Sequence, residues 1–173
     1  LLADGVEELE LVAPVDVLRR AGAEVVLAVL RDDLTVTGRH GLVLRAEVSL
    51  DGFEAAGFDL LFIPGGAAVA AFLQDGRPAA LARAFVAAGK PVAAICAGPL
   101  VLHDAGLLAG KRFTAHFSVA DELPGAQTGE RVLQDGLLLT SRGAGTALEF
   151  GLALVDRLFG EAKEAEIARA IMA

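Results

Sequence analysis

The sequence holds a single cysteine, no tryptophan and no tyrosine in 173 residues. A lone cysteine rules out an intrachain disulfide framework and any metal site built on a cysteine cluster. It fits a reducing compartment, and a cytoplasmic location is expected. Only three histidines occur, His40, His103 and His116, too scattered along the chain for a metal motif. Neither a metal nor another cofactor is expected. No stretch approaches the ~18 uncharged apolar residues of a membrane span, so no membrane partner is expected. Basic runs are missing as well: the net charge is −8 and the pI about 4.8. An acidic protein repels phosphate backbones, so direct nucleic-acid binding is not expected. The chain opens on Leu1-Leu2-Ala3 without an initiator methionine, and a few residues of a first strand are expected to precede it.

What is abundant is small and apolar. Hydrophobic residues make up 54%, with a mean hydropathy of +0.56. Alanine and valine supply much of this, as strands buried on both faces require. Apolar runs alternate with helical patterns. Leu1–Ala3 reads as a strand end, Leu11–Ala21 as a helix with Pro14 in its first turn, and Gly22 as its stop. Val25–Leu30, Asp59–Ile63 and Pro91–Ile95 read as strands, and Val43-Leu44 as a short one. Helices are expected over Ala67–Leu73, Pro78–Ala88, Pro99–Ala105, Thr146–Phe159 and Glu161–Met172. Asp135-Gly136 between two apolar runs signals a hairpin. With no repeat and no linker, residues 1–173 are expected to form one domain. Strands alternating with helices predict an α/β fold with a mostly parallel sheet covered on both faces. In such folds functional groups gather beyond the carboxyl ends of the strands.

Cys96 occupies such a position. It follows Val92–Ile95 directly and precedes Gly98-Pro99 and a helix. The run Ala94-Ile-Cys-Ala-Gly98 is a small-residue form of the nucleophile elbow, a sharp strand-to-helix turn that lifts a side chain above the sheet. The helix start behind it predicts a lowered thiol pKa. A lone cysteine is more often an inert buried one; the elbow reverses that expectation here. Gly65-Gly66 also follows a strand, and its amides can form an anion-binding nest or oxyanion site. A plain turn is the bland alternative. Glu7, Glu8 and Glu10 open a helix, where favourable interaction with the helix dipole explains two of the three. The remaining one can reach the cysteine and move a proton. His116 follows Phe113-Thr114-Ala115, expected as a strand, and is a candidate base or proton relay. A lone histidine is more commonly structural.

Taken together, Gly5–Glu10, Pro14–Gly22, Ile63–Gly66, Ala93–Pro99 and Leu139–Thr146 resemble the DJ-1/ThiJ/PfpI superfamily, in family order and over nearly the whole chain. The similarity is strongest to its deglycase and ThiJ-type branch. The resemblance implies a flavodoxin-like three-layer sandwich with a nucleophile-elbow cysteine. It implies that Cys96 is the nucleophile, Glu10 the protonated glutamate bonded to it, and His116 the nearby histidine. The amide donors would be Gly65, Gly66 and Ala97. It further implies a homodimer with Leu9, Arg19 and Arg20 at its interface, and an Arg131–Glu149 ion pair. The implied activity is glutathione-independent glyoxalase or deglycase chemistry on 2-oxoaldehydes such as methylglyoxal and glyoxal, or on their early adducts with proteins and nucleotides. The alternative is an oxidative-stress sensor or chaperone-like protein acting through Cys96 oxidation. Three positions depart from the branch. Arg39 or His40 stands in the place of a loop arginine, Phe117 follows His116 where proline is common, and Ala144 replaces a proline. Ala97 takes the place of the histidine that follows the elbow cysteine in the PfpI branch, so no peptidase activity is expected.

Overall fold

The computed structural model describes residues 1–173, the side chain of Ala55 excepted. The described residues form eight short strands and six α-helices. The strands are β1 (Ala28–Val29), β2 (Thr35–Thr37), β3 (Val43–Arg45), β4 (Val48–Ser49), β5 (Leu61–Ile63), β6 (Val92–Ile95), β7 (Val132–Asp135) and β8 (Leu138–Ser141). The helices are α1 (Glu8–Arg20), α2 (Ala68–Asp75), α3 (Arg77–Ala87), α4 (Pro99–Asp104), α5 (Ala147–Phe159) and α6 (Glu161–Ala170).

The central sheet has the order β5-β6-β8-β7, parallel except for the β7–β8 hairpin. β1 and β4 form a parallel pair, and Leu1–Ala3 lies between that pair and β5. The Leu2 amide donates to the Ala28 carbonyl, Leu2 bridges Val29 in parallel, and the Leu1 amino group reaches the Phe62 carbonyl at 2.9 Å. β2 and β3 form a separate antiparallel hairpin.

All four residues of β6 are fully buried. Val92 and Ala94 face one hydrophobic core with Phe72, Phe85 and Leu102 of α2, α3 and α4. Ala93 and Ile95 face the other, with Val17, Phe150 and Val155 of α1 and α5. Because successive strand side chains point to opposite faces, a continuous apolar run is what a strand in a middle layer needs. The result is the expected three-layer, flavodoxin-like sandwich.

Several expectations move. α1 begins at Glu8 rather than Leu11, capped by the Glu7 carboxylate, which accepts from the Glu10 amide at 2.9 Å. Pro14 consequently sits in the helix interior instead of the first turn. It is accommodated where α1 crosses α5: a Cβ on Gly151 would lie 2.9 Å from the Pro14 Cα and 2.6 Å from a Val17 methyl. The helix ends as expected, with the Gly22 and Ala23 amides closing back on the Arg19 and Leu18 carbonyls. Phe113–Ala115 is not a regular strand. It lies beside β8, but its contact there is a side-chain one: the Thr114 amide donates to the Thr140 hydroxyl, while the Thr114 hydroxyl donates to the Glu130 carbonyl and the Phe113 carbonyl accepts the Gln127 amide. The hairpin turn shifts by one residue, since Asp135 already pairs with Leu138.

Candidate active site

The site lies at the carboxyl end of the parallel strands, where β5, β6 and the first turn of α1 converge. Cys96 follows β6 with a φ of +63°, in the left-handed region. Such a conformation costs about 1–3 kcal/mol and persists only where the surroundings impose it. Here the Cys96 amide is tied to the Ser141 carbonyl at 2.9 Å and its own carbonyl accepts from the His116 amide at 2.9 Å. The thiol is partly exposed.

Glu10 reaches it from α1. The residue is only 1% exposed. Its carboxyl group takes the Gly65 amide on Oε2 at 3.0 Å and a hydrogen bond with the Cys96 thiol. Gly65 is required by closeness: a Cβ there would fall 2.5 Å from Glu10 Oε2 and 2.6 Å from Cys96 Cβ. Its amide is thereby committed to Glu10, so of the three donors expected for an oxyanion, only Gly66 and Ala97 turn their amides toward the sulfur.

Burial pushes Glu10 up to about 7, helped by the charge of Glu7 and opposed by the hydrogen bonds from Cys96 and Gly65. Burial also pushes the Cys96 thiol up to about 12, with the Glu10 charge and hydrogen bond adding to it and the Gly66 and Ala97 amides opposing. This corrects the expected lowering of the thiol. α4 behind it has six residues, too short a dipole to outweigh desolvation and a neighbouring carboxylate. The two groups titrate as a unit, and above about pH 7 they hold one proton between them. With the proton on sulfur, the Glu10 carboxylate repels a thiolate. With the proton on Glu10 that repulsion disappears, and the Gly66 and Ala97 amides remain to stabilise the anion.

His116 comes next to Cys96 through its backbone, but its ring is turned to Ser118. Nδ1 accepts the Ser118 amide at 3.2 Å and contacts the Ser118 hydroxyl at 2.8 Å. That arrangement leaves the ring proton on Nε2 and suits a donor better than a base. The ring packs on Phe117 with centroids 4.1 Å apart, and Phe117 itself is 75% exposed.

On the outer side of α1, Glu8 is also buried, at 6% exposure. Residues two apart on a helix point about 200° apart, so Glu8 faces the loop between β2 and β3. Its Oε1 accepts the His40 amide at 2.7 Å and the Leu42 amide at 3.4 Å. Burial alone would raise this carboxyl, but those amides outweigh it and hold it below the ordinary range. The loop in which Arg39 or His40 replaces the family's arginine thus holds a carboxylate of its own chain. Nothing in the sequence singles out this buried role of Glu8, because the helix dipole already accounts for most of the Glu7–Glu10 cluster.

A cavity of about 720 Å³ opens at the amino ends of the strands beside Val25, Leu60 and Phe85, away from Cys96.

The chain matches the DJ-1/PfpI family over residues 1–157. It is 42% identical to Protein DJ-1 homolog B of Arabidopsis thaliana over 99% of this chain and 40% of that protein. It therefore spans about two fifths of the length of the Arabidopsis relatives it matches. It is 33% identical to Deglycase TK1284 of Thermococcus kodakarensis, covering 84% of this chain and 89% of that one. It is 36% identical to an isonitrile hydratase of Pseudomonas putida, covering 92% and 71%. The crystal structure of Drosophila melanogaster DJ-1beta superposes with a TM-score of 0.94 at 35% identity, over 99% of this chain and 95% of that one. Relatives with different activities share this fold, so membership leaves the reaction open while fixing the lineage: the chain belongs to the DJ-1/PfpI family.

Proposed function

We propose that the chain is a cysteine-dependent, glutathione-independent glyoxalase or deglycase acting on 2-oxoaldehydes or their early adducts. The observation that carries this reading is the pairing of half-buried Cys96 with the buried Glu10, with the Gly66 and Ala97 amides facing the sulfur. In the proposed reaction the sulfur attacks the aldehyde carbon of methylglyoxal. The carbonyl π bond breaks, and the oxygen takes the proton released by the pair, giving a hemithioacetal. Gly66 and Ala97 are the donors available to the developing oxyanion. Glu10, now a carboxylate, removes the proton from C1 and returns it to C2 through an enediol, which leaves a thioester at C1. Water then cleaves the carbon–sulfur bond, restores the thiol and releases lactate, with no net redox change. His116 contributes a hydrogen bond from Nε2. Deglycation would start from a hemithioacetal or aminocarbinol in equilibrium with the free aldehyde.

The test is lactate formation from methylglyoxal without glutathione. Wild type is expected to turn over, and Cys96→Ala to fall to the uncatalysed rate. Equal rates in the two proteins would end the proposal.

A second reading has its own support. The thiol is partly exposed, and a neutral Glu10 beside it can donate to an oxidised sulfur. A relative of the same fold, Toxoplasma gondii DJ-1, has been solved in an oxidized form. In this reading two equivalents of peroxide convert Cys96 to a sulfinate with release of two waters, and Glu10 stabilises the product. Mild peroxide is then expected to add about 32 Da to one residue, in a protein lacking methylglyoxal turnover.

A homodimer through the outer face of α1 accompanies either reading. Leu9 and Val12 are 60% and 47% exposed there, and Leu42 and Val43 on the neighbouring hairpin 57% and 70%. Several large apolar side chains exposed on adjoining elements are commonly covered at an interface. Arg19 and Arg20 flank it, paired with Glu47 and Asp16. Sedimentation at micromolar concentration is expected to show a dimer, and a monomer of 17.8 kDa would refute it.

A further inference from the structure

Along the chain the three histidines are scattered and none suggests a metal. The fold changes that for His40. The turn after β2 brings it onto the first turn of α1, where one carboxylate oxygen each from Glu7 and Glu8 and one imidazole nitrogen of His40 lie within 4.8 Å of one another. Three such groups at a protein surface are common without an ion. What singles this cluster out is Glu8. It is more than nine-tenths buried, its Oε1 is held by the His40 and Leu42 amides, and its Oε2 has neither solvent nor any hydrogen-bond partner. A buried carboxylate oxygen without a partner is exceptional, and such groups are normally paired or bound to a metal.

We propose that Glu7, Glu8 and His40 form a binding site for a divalent transition-metal ion of the zinc class. The donor set decides the class. Calcium and magnesium prefer all-oxygen shells, whereas zinc takes imidazole nitrogen at about 2.0–2.1 Å together with carboxylate oxygen, and three protein ligands with a water complete a tetrahedron. Ligand atoms on a zinc ion stand roughly 3.4 Å apart, so the cluster must tighten on binding. It is built to do so, because the buried Glu8 is fixed while His40 is exposed and Glu7 only half-buried. Glu7 keeps one oxygen as the α1 cap and offers the other. The Cys96 sulfur is not among the ligands, so the site is distinct from the reactive thiol.

The experiment is zinc titration of the purified full chain by calorimetry, with bound metal counted after dialysis and cobalt(II) as a coloured probe. One zinc per chain is expected, and the cobalt form should show visible ligand-field bands without the near-ultraviolet thiolate charge-transfer band. His40→Ala and Glu7→Gln should each weaken binding roughly tenfold or more. Both keep the backbone contacts of Glu8, and far-ultraviolet circular dichroism verifies the fold. Cys96→Ala should bind zinc as wild type does. Absence of zinc uptake by wild type, unchanged affinity in His40→Ala, or loss of the metal in Cys96→Ala would each overturn the proposal.

Discussion

The first turn of α1 carries two buried glutamates, and they behave oppositely. Glu8 and Glu10 are 6% and 1% exposed, yet the Glu8 carboxyl lies below its ordinary pKa and Glu10 is raised to about 7. Burial acts the same way on both. The difference is in what else reaches them. Glu8 accepts two backbone amides from a tight loop. Glu10 accepts one amide and otherwise faces a thiol and the charge of Glu7. One side of the helix therefore carries a fixed charge and the other a movable proton. The chemistry of a buried carboxyl is set by its donors and neighbours rather than by its depth.

Removing the movable proton breaks the comparison most severely. Glu10→Gln keeps the shape and the Gly65 contact but cannot transfer a proton. A loss of about 10²–10⁴ in methylglyoxal kcat/KM is expected, the range of a general acid–base group. A loss below threefold, measured on a folded sample, would mean that Glu10 only packs against the sulfur.

The second contrast is in the sign of the pH dependence of stability. A raised pKa means that the folded state binds a proton the unfolded state has released. The Glu10 contribution is fully present below its ordinary value of 4.5 and is lost as pH rises through about 7. Across that window it amounts to on the order of 3 kcal/mol. Glu8 has the reverse slope: its contribution is present above 4.5 and is lost as pH falls below it. Urea unfolding between pH 4.5 and 7.5 should show wild type losing stability relative to Glu10→Gln as pH rises. Parallel curves would show that Glu10 titrates normally.

How far these two side chains can be told apart in advance is instructive. The elbow around Cys96 and the Pro64-Gly65-Gly66 turn are local patterns, legible because a small-residue strand–turn–helix has few other uses. Choosing Glu10 over Glu7 and Glu8 needs the resemblance, since all three sit where a helix dipole favours acid. The same cluster hides the start of α1 at Glu8, and so places Pro14 in a first turn that lies well before it. The contact of Glu8 with His40 spans 32 residues and depends on the path of the β2–β3 loop, which no local pattern encodes. The direction of the Cys96 shift is illegible for a related reason: a helix start is visible in a sequence, whereas desolvation is not.

Both glutamates ride on α1, and its seat on α5 is the next place to press. A methyl at Gly151 would meet Val17 at 2.6 Å and Pro14 Cα at 2.9 Å. Ala favours a helix by about 1 kcal/mol over Gly, but overpacking of this kind costs about 1–3 kcal/mol. The Pro14 contact is with backbone, which yields less easily than a side-chain tip. Gly151→Ala is expected to destabilise by about 1 kcal/mol net, read as a lower urea midpoint at unchanged slope. A stabilised variant would show that the crossing has room to spare, and that α1 is not held in place from below.

The weakest effect is expected at a third carboxylate, one with a partner but no burial. Glu149 on α5 takes the Arg131 Nε at 2.6 Å, as the resemblance implies. Both side chains are about half exposed, at 47% and 51%. Water screens the pair, and fixing two long side chains opposes the attraction, so such pairs contribute about 0–1 kcal/mol. Arg131 also donates to the Gly145 carbonyl at a marginal 3.5 Å, which adds little. Arg131→Ala should therefore shift the unfolding free energy by less than about 1 kcal/mol, with any shift fading at about 0.5 M salt. A loss well above that, unaffected by salt, would mean that the ion pair helps hold the turn before α5. It would also mean that donors matter at the surface as they do beneath α1, contrary to the view that burial is what makes them decisive.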